Sequence, residues 1–399
     1  MNEFAQWLKQ HREAWWFALL LFLLCIGFLV LEWFNHRSSM ADFRVYYDAA
    51  NAMRSGNQVY GVAFGVGSGF YKYSPFAGCL FIPIAMLPYS VASVIYYLLV
   101  SGAVVYASLR FVHMFSDNSS GGRLLAVLFF VSLFMADHIE RELHLGNVNL
   151  FLLLGSLLMY SKVEKQPVVA GSVFALMLLF KPHFALLIPY LVWKKQWKLL
   201  AVAVLAVALG LILPALFFGW EGNTLLHTKW YAAIRDHNMA LDESPNTVYG
   251  LLHSVTGGAF TGTVLIGMCL LLVAFLFLLF IRRNDRTIQQ GSVCWIEFFI
   301  LIAMIPNLVH TDTEHFMWSW PLVAFCVTAC ITKPTANRWI YVVVLLLAFI
   351  PYGINSPDLV GRQLEQLFDE GGLLGLANVI IIIVSVCLFL NQPQVAVKA

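Results

Sequence analysis

Apolar residues fill long runs of the chain from Trp15 to Leu390, and short polar stretches separate these runs. A run of about 20 apolar residues crosses the hydrocarbon core of a bilayer as a helix, and shorter runs suit helices that line a cavity or break at proline. The pattern therefore predicts an all-α polytopic membrane protein with about 12 transmembrane helices. The predicted spans are 15–34, 91–110, 123–137, 147–161, 167–180, 183–193, 199–218, 262–281, 293–309, 315–332, 338–352 and 373–390.

The stretch 75–88 is apolar, but Pro75, Pro83 and Pro88 interrupt it. We predict a helix that dips into the membrane from the outer side, with a full span as the alternative. Lysine and arginine gather on the cytoplasmic side of membrane proteins. With the N-terminus inside, the dipping helix leaves most of the 24 basic residues on that side, whereas a full span moves the cluster Arg282–Arg286 outside.

The spans predict a single transmembrane domain over residues 1–399, with a cytoplasmic N-terminus at 1–14. Its outer loops are 35–90, with interfacial and membrane-dipping helices, 219–261 and 353–372. In the first loop, Asp48–Arg54 has the spacing of an amphipathic helix that lies in the membrane interface. By the same map most of the 11 histidines and 22 acids face outward. Imidazoles and carboxylates are the usual proton-transfer groups, so the outer side is the expected site of binding or catalysis.

The composition excludes several classes of protein. Charged residues make up 12% of the chain, against about 25% in soluble domains. The net charge of +2, without a block of basic residues, gives no reason to expect nucleic-acid binding. All seven cysteines lie in apolar stretches and form no CxxC pair, so we expect no disulfide framework. The sequence also has no Walker loop and no GxGxxG motif, which predicts that any activated substrate comes from the membrane.

The first group of candidate residues follows the first span. Asp42 and Arg44 are followed by Tyr46 and, further on, Tyr73. A carboxylate at this position can act as a general base towards an acceptor hydroxyl. For the tyrosines an interfacial aromatic belt is the alternative interpretation.

A second group lies between His138 and Asn149. Glu140 and Glu142 are further candidate bases, and His138 and His144 could bind a metal, although their spacing is not that of a zinc site. Gly146 favours a tight turn, and Asn147 could cap the next helix.

Three more candidates lie further along the chain. Lys181 precedes a proline and suits a phosphate as a point charge, with a snorkelling lysine as the alternative. His315 begins a span and could face a substrate cavity, or it could be a solvated loop residue. Asn246 could hold a sugar hydroxyl or cap a helix. Asp312 and Glu314 hint at a divalent cation, but two acids seldom suffice, so we expect no metal there.

Several of these segments, in this order, resemble glycosyltransferase family 87, a polyprenol-phosphate-dependent family of the GT-C superfamily that includes mannosyltransferases. The resemblance runs through Asp42–Ala50, Gly56–Tyr60, Tyr71–Phe76, Phe81–Pro83, Gly146–Asn149, Lys181–Pro182, Asn246–Gly250 and Glu314–Phe316. Gly146-Asn147-Val148-Asn149 stands where the family has Gly-Gln-x-Asn, and Tyr73-Ser74-Pro75 stands where it has Tyr-Pro-Pro.

The resemblance implies a GT-C fold and an inverting enzyme. It would move a hexose, mannose being expected, from a polyprenyl-phosphate carrier to a hydroxyl of a lipid-linked or envelope glycan. The active site would face the extracytoplasmic side of the bacterial inner membrane. Asp42 would be the catalytic base, and neither a metal nor another cofactor is expected. The substrate-binding residues would be Arg44, Tyr73, Glu140, His144, Asn147, Asn149, Lys181, Asn246 and His315.

The expected partners are the lipid-linked donor, the lipid or glycan acceptor and membrane lipids. The alternative function is a membrane transporter or lipid flippase without covalent chemistry. That alternative calls for ionisable groups near the middle of the membrane, where the sequence offers Glu32 and Glu297.

Overall fold

The computed structural model describes residues 3–37, 40–65, 69–116, 121–238, 244–256, 293–309, 312–332 and 337–391. Within these ranges the chain is helical, apart from loops and one antiparallel pair of two-residue strands, β1 (Ala63–Phe64) and β2 (Gly69–Phe70). This agrees with the predicted all-α class. The predicted span 262–281 lies outside the described residues.

The helices follow one another along the chain with short connections. The first half contains α1 (Glu3–Gln10), α2 (Arg12–Phe34), α3 (Ala41–Arg54), α4 (Pro75–Ala85), α5 (Tyr89–Phe115), α6 (Gly122–Phe134), α7 (Ala136–Leu145), α8 (Asn149–Lys162) and α9 (Pro167–Phe180). The second half contains the 3-10 helix η1 (Pro182–Leu187), α10 (Ile188–Trp193), α11 (Trp197–Ile212), α12 (Ala215–Asn238), α13 (Val248–Val255), α14 (Trp295–Leu308), the 3-10 helix η2 (Thr313–Ser319), α15 (Trp320–Thr332), α16 (Arg338–Gly353), α17 (Pro357–Val360), α18 (Arg362–Glu370) and α19 (Leu373–Asn391).

By length and apolar character, four helices of the described chain can cross a membrane. They are α2, α5, η2 joined to α15, and α19. The number rises to six if each of two bent pairs is one span: α6 with α7, bent by 59°, and α11 with α12, bent by 89°. Pro214 lies at the second bend, where its ring cannot continue the helix. The protein is thus an all-α membrane protein, while twelve spans stay a prediction.

The chain folds into two compact units, each built from separate stretches of sequence. The first unit comprises 1–20, 106–139 and 240–399, and the second comprises 21–105 and 140–239. In the first unit, α19 packs against α14, α15 and α16, around the fully buried Trp318 and Trp320.

In the second unit, α9 packs between α8 and α11. Gly171 permits the close approach of α9 and α11, because a Cβ there would meet the carbonyl oxygen of Leu199. Small residues at such crossings let helix backbones pack closely within a membrane protein.

Helix α3 is longer than the sequence predicted. It begins at Ala41, and its apolar face, which includes Phe43 and Ala49, is buried where α3 packs on α4. Protein therefore covers a face that the pattern had assigned to the membrane interface. Helix α4 starts with Ser74 as its N-cap and has 11 residues, a length of about 16 Å, roughly half the thickness of the hydrocarbon core.

Candidate active site

The carboxylate of Asp42 lies on the first turn of α3 and is half-buried. Its Oδ2 accepts a hydrogen bond from the side-chain amide of Asn147, a residue 105 positions further along the chain. An amide donor fixes the orientation of a carboxylate without neutralising its charge. The carboxylate is thus held in one direction and still partly exposed.

Asn147 is itself held by several hydrogen bonds. Its Oδ1 accepts from the hydroxyl of Tyr46 at 3.3 Å and from the backbone N–H of Val148 at 2.6 Å. Its backbone carbonyl accepts from the hydroxyl of Tyr96 at 3.3 Å. The preceding residue, Gly146, has φ 67°, in the left-handed region that favours glycine. The turn therefore sets the direction of the Asn147 side chain, whereas the sequence had indicated a helix cap.

The environment of Gly146 leaves no room for a side chain. A Cβ there would lie 2.7 Å from the Cε of Met40 and 2.9 Å from the Cβ of Phe43. Both neighbours flank the start of α3, so this contact brings the turn close to the helix that carries Asp42.

Two tyrosines extend the hydrogen-bond network from Asn147. The hydroxyls of Tyr46 and Tyr73 lie 3.0 Å apart. Because Tyr46 donates its one hydrogen to Asn147, Tyr73 donates to Tyr46. Burial, reinforced by Tyr73 and Asp42 nearby, raises the pKa of Tyr46 well above its usual value, so it remains a neutral donor.

The second asparagine of the turn contacts a cation. The Nζ of Lys181 donates to the Oδ1 of Asn149 at 2.6 Å and lies 5.8 Å from the centre of the Tyr73 ring. Lys181 is the extended residue between α9 and Pro182, and it is 6% exposed. A lysine that merely snorkelled at a helix end would place its ammonium in solvent, so the buried position favours a binding role.

The stretch Gly146–Asn149 thus contacts a carboxylate and an ammonium: Asn147 binds the carboxylate of Asp42, and Asn149 binds the ammonium of Lys181. Tyr73 approaches both parts. We call this arrangement the turn site, comprising Asp42, Tyr46, Tyr73, Asn147, Asn149 and Lys181. All six belong to the second unit.

Arg44 does not join the turn site. Two residues after Asp42, it points to another side of α3, since each residue turns a helix by about 100°. Its Nε donates to the Oδ2 of Asp48 at 2.8 Å, which raises the pKa of Arg44, and its guanidinium lies 4.2 Å from the centre of the Tyr89 ring. A role for Arg44 in phosphate binding therefore has no support from its position.

The acids and histidines before the turn have separate surroundings. His144 Nδ1 lies 2.6 Å from Oε2 of Glu32, near the end of α2. Glu142 is fully buried and accepts from the backbone N–H of Leu150 at 2.8 Å, which caps the start of α8. Glu142 thus has a structural role at the start of α8, and its role as a base stays a prediction. Glu140 is half-buried on α7.

His138, the other predicted metal candidate of this group, is fully buried. Its ring packs against the ring of Tyr352, with centroids 4.5 Å apart. Both residues belong to the first unit.

Asn246 lies in the first unit and ties two helices together. Its Oδ1 accepts from the backbone N–H of Gly375 at 3.1 Å, and its carbonyl accepts from Asn307 at 3.2 Å. Asn307 also contacts Asn378, which bonds to Ser319 in turn. Of its two predicted roles, the structure supports the helix cap, here on α19.

His315 also lies in the first unit and is 5% exposed. Its Nδ1 donates to the backbone carbonyl of Asp312 at 3.0 Å. The nearest ligand atoms of Asp312, Glu314 and His315 all lie within 4.8 Å of one another. Two carboxylates and one imidazole form a donor set that divalent metals accept. The structure thus adds the histidine to the two acids considered from sequence.

The sequence placed Tyr46 in the first candidate group but favoured an interfacial belt for it, and it gave no role to Tyr96 or Asn378. For Asn378 a signal was available, because a buried amide in an apolar helix needs a hydrogen-bond partner. For the tyrosines there was none, since aromatic residues are common near membrane interfaces.

The family model of glycosyltransferase family 87 matches residues 70–306, more than half of the chain. The match includes Asn147, Asn149 and Lys181, whereas Asp42 and His315 lie outside it. Comparison with curated proteins and with solved structures finds no match in either set.

Proposed function

The chain belongs to glycosyltransferase family 87, and from this premise we propose that it moves a hexose from a polyprenyl-phosphate carrier to a hydroxyl group. Mannose is the expected sugar, and the acceptor is a lipid-linked or envelope glycan. The reaction takes place on the extracytoplasmic side of the bacterial inner membrane. The chain itself supplies the base and the cation, and the donor arrives through the lipid phase.

The reaction begins when the carboxylate of Asp42 removes the proton of the acceptor hydroxyl. The acceptor oxygen then forms a bond to the anomeric carbon, while the bond between that carbon and the phosphate oxygen breaks. Polyprenyl phosphate leaves with the electron pair, and attack from the opposite face inverts the configuration. Because the departing phosphate is a stable anion, the reaction needs no general acid.

The observation that carries this proposal is the pair of hydrogen bonds made by Gly146–Asn149. Asn147 binds the carboxylate of Asp42, and Asn149 binds the ammonium of Lys181. Fixed groups of this kind stabilise a transition state because no reorganisation is needed when charge develops. The two hydrogen bonds supply such an arrangement for a base and for a leaving phosphate.

Lys181 is the group assigned to the donor phosphate. A buried ammonium is costly unless it meets an opposite charge or several acceptors. Lys181 is buried and donates to the neutral amide oxygen of Asn149, and an anionic phosphate beside it would add an opposite charge. Tyr73, 5.8 Å from the ammonium, provides a wall on which a sugar ring can pack.

The decisive test uses the purified full-length protein, a radiolabelled polyprenyl-phosphate mannose and a panel of lipid-linked acceptors. We expect Asp42→Asn to lower transfer by about 10²–10⁴-fold, the range for loss of a general base. The matched control is Asp48→Asn on the same helix, which removes a carboxylate that pairs with Arg44. Equal transfer by the wild type and Asp42→Asn would exclude Asp42 as the base.

Replacement of the lysine separates donor binding from base chemistry. We expect Lys181→Met to raise the KM for the donor and lower kcat, with little change in the KM for the acceptor. Lys181→Arg keeps the charge and should recover part of the activity. Equal effects on the two KM values would contradict a phosphate-binding role.

The alternative of a transporter or flippase makes the opposite prediction for the product. In proteoliposomes it moves a labelled lipid across the bilayer and forms no new glycosidic bond. Mass spectrometry of the acceptor after incubation distinguishes the two, because only the transferase adds the mass of a hexose.

A further inference from the structure

The first unit has a groove whose lining includes none of the residues discussed as candidates for transfer. Its walls come from α6, α15 and α16, and its cavity volume is about 450 Å³. The lining is almost entirely apolar and includes Phe130, Ile331, Leu345 and Phe349. Arg338 is the charged residue among the lining residues.

The dimensions of the groove match one leaflet of a membrane. The lining of α16 runs from Arg338 to Phe349, a length of about 16 Å at 1.5 Å per residue. One leaflet of a bilayer has about 15 Å of hydrocarbon, half of the 30 Å core. A single extended acyl chain therefore fits the groove along its length, and a volume of this order is typical of small-ligand sites.

The charged end of the groove has the properties of a headgroup site. Arg338 is half-buried, and its Nε makes no hydrogen bond to any residue that the structure describes. Its guanidinium lies 5.4 Å from the centre of the Trp339 ring, and Trp339 is 72% exposed. Tryptophan and arginine together mark the depth of lipid headgroups, and a guanidinium binds phosphate in a bidentate manner.

We propose that this groove binds an anionic phospholipid, with one acyl chain along α16 and the headgroup phosphate on Arg338. The occupant comes from the bulk membrane and is distinct from the polyprenyl-phosphate donor, and the proposal does not depend on the transfer reaction. The predicted map places Arg338 on the inner side of the membrane. Anionic lipids give the cytoplasmic leaflet its negative surface potential, and basic pockets between membrane helices bind their headgroups.

The test uses the full-length protein in vesicles of equal parts phosphatidylglycerol and phosphatidylethanolamine. A trace of either lipid carries a photoreactive diazirine on its acyl chain, and peptide mass spectrometry locates the cross-links after irradiation. We expect the phosphatidylglycerol probe to give a much higher yield of cross-links on the walls of the groove than on α2, whose apolar side chains are exposed. Arg338→Gln should reduce that labelling by roughly tenfold, the effect of losing one charge-assisted hydrogen bond.

Two further variants keep the test independent of folding. Arg362→Gln removes an exposed arginine of the same unit and should leave the labelling unchanged. Val342→Trp fills the groove without altering its charge and should block labelling while the thermal midpoint is retained. Three results would each overturn the proposal: equal labelling of the groove by both lipid probes, labelling of α2 as strong as that of the groove, or undiminished labelling of the Arg338→Gln variant. So would displacement of the probe by polyprenyl phosphate but not by unlabelled phosphatidylglycerol.

Discussion

Replacement of Asn147 by alanine tests the central contact of the turn site. The substitution removes the amide that donates to the carboxylate of Asp42 and the oxygen that accepts from Tyr46 and Val148. It leaves the carboxylate itself in place. The experiment therefore asks what the orientation of the base contributes, separately from its presence.

The expected size of the effect follows from the type of hydrogen bond. A bond to a charged group is worth about 1.5–3 kcal/mol. A change of about 1.36 kcal/mol in the barrier alters a rate tenfold, so this range corresponds to a decrease in kcat of about 10- to 150-fold. We expect the KM values to change much less, because neither substrate loses a direct contact.

The assay compares initial rates of hexose transfer by wild-type and Asn147→Ala protein at saturating donor. Thermal unfolding is measured in parallel, because the buried N–H of Val148 loses its acceptor, at a cost of about 1–3 kcal/mol of stability. Asn51→Ala is the matched control: it removes an asparagine of α3 that bonds to the carbonyl of Tyr47, and kcat should stay within about twofold. If folded Asn147→Ala protein keeps the wild-type kcat, the amide does not position the base.

Two further predictions concern the turn and the cation. Gly146→Ala should lower both the thermal midpoint and the activity. Its control is Gly56→Ala, which has nearly the same φ of 69° but nothing within 4 Å of the added Cβ, so it should lower stability only by the introduced backbone strain of about 1–2 kcal/mol. Equal losses of stability in the two variants would show that crowding at the turn is unimportant. For the cluster of Asp312, Glu314 and His315, we expect activity to survive dialysis against a chelator, because the proposed leaving-group cation is a lysine. Loss of activity that added Mn²⁺ restores would assign a catalytic cation to that cluster.

The class of the protein and the chemical identity of its candidate groups can be derived from the amino-acid sequence. Exposing apolar runs such as Trp15–Phe34 to water costs free energy, and these runs can be recognised from the sequence alone. Asp42 and Lys181 stand out for the same reason, since a charge near a bilayer is expensive unless it is paired or used. The order of short motifs was sufficient to indicate the family that the match over residues 70–306 shows.

The number of spans was less accessible to sequence. Hydropathy counts apolar residues but does not show where a helix bends. The predicted span 199–218 therefore runs past the 89° bend between α11 and α12 and includes the start of α12. Residues around Pro214 could have indicated the break, but a proline in an apolar run can either kink a helix or end it.

The contacts between side chains, by contrast, became known from the packing of the helices. Asp42 and Asn147 are 105 residues apart, and Asn149 and Lys181 are 32 apart, so no local pattern relates the members of either pair. Arg44, two residues after Asp42 in sequence, lies on another side of the same helix and pairs with Asp48. Sequence spacing fixes the face of a single helix, whereas contacts between helices depend on how their packed surfaces fit, and that information is distributed over the whole chain.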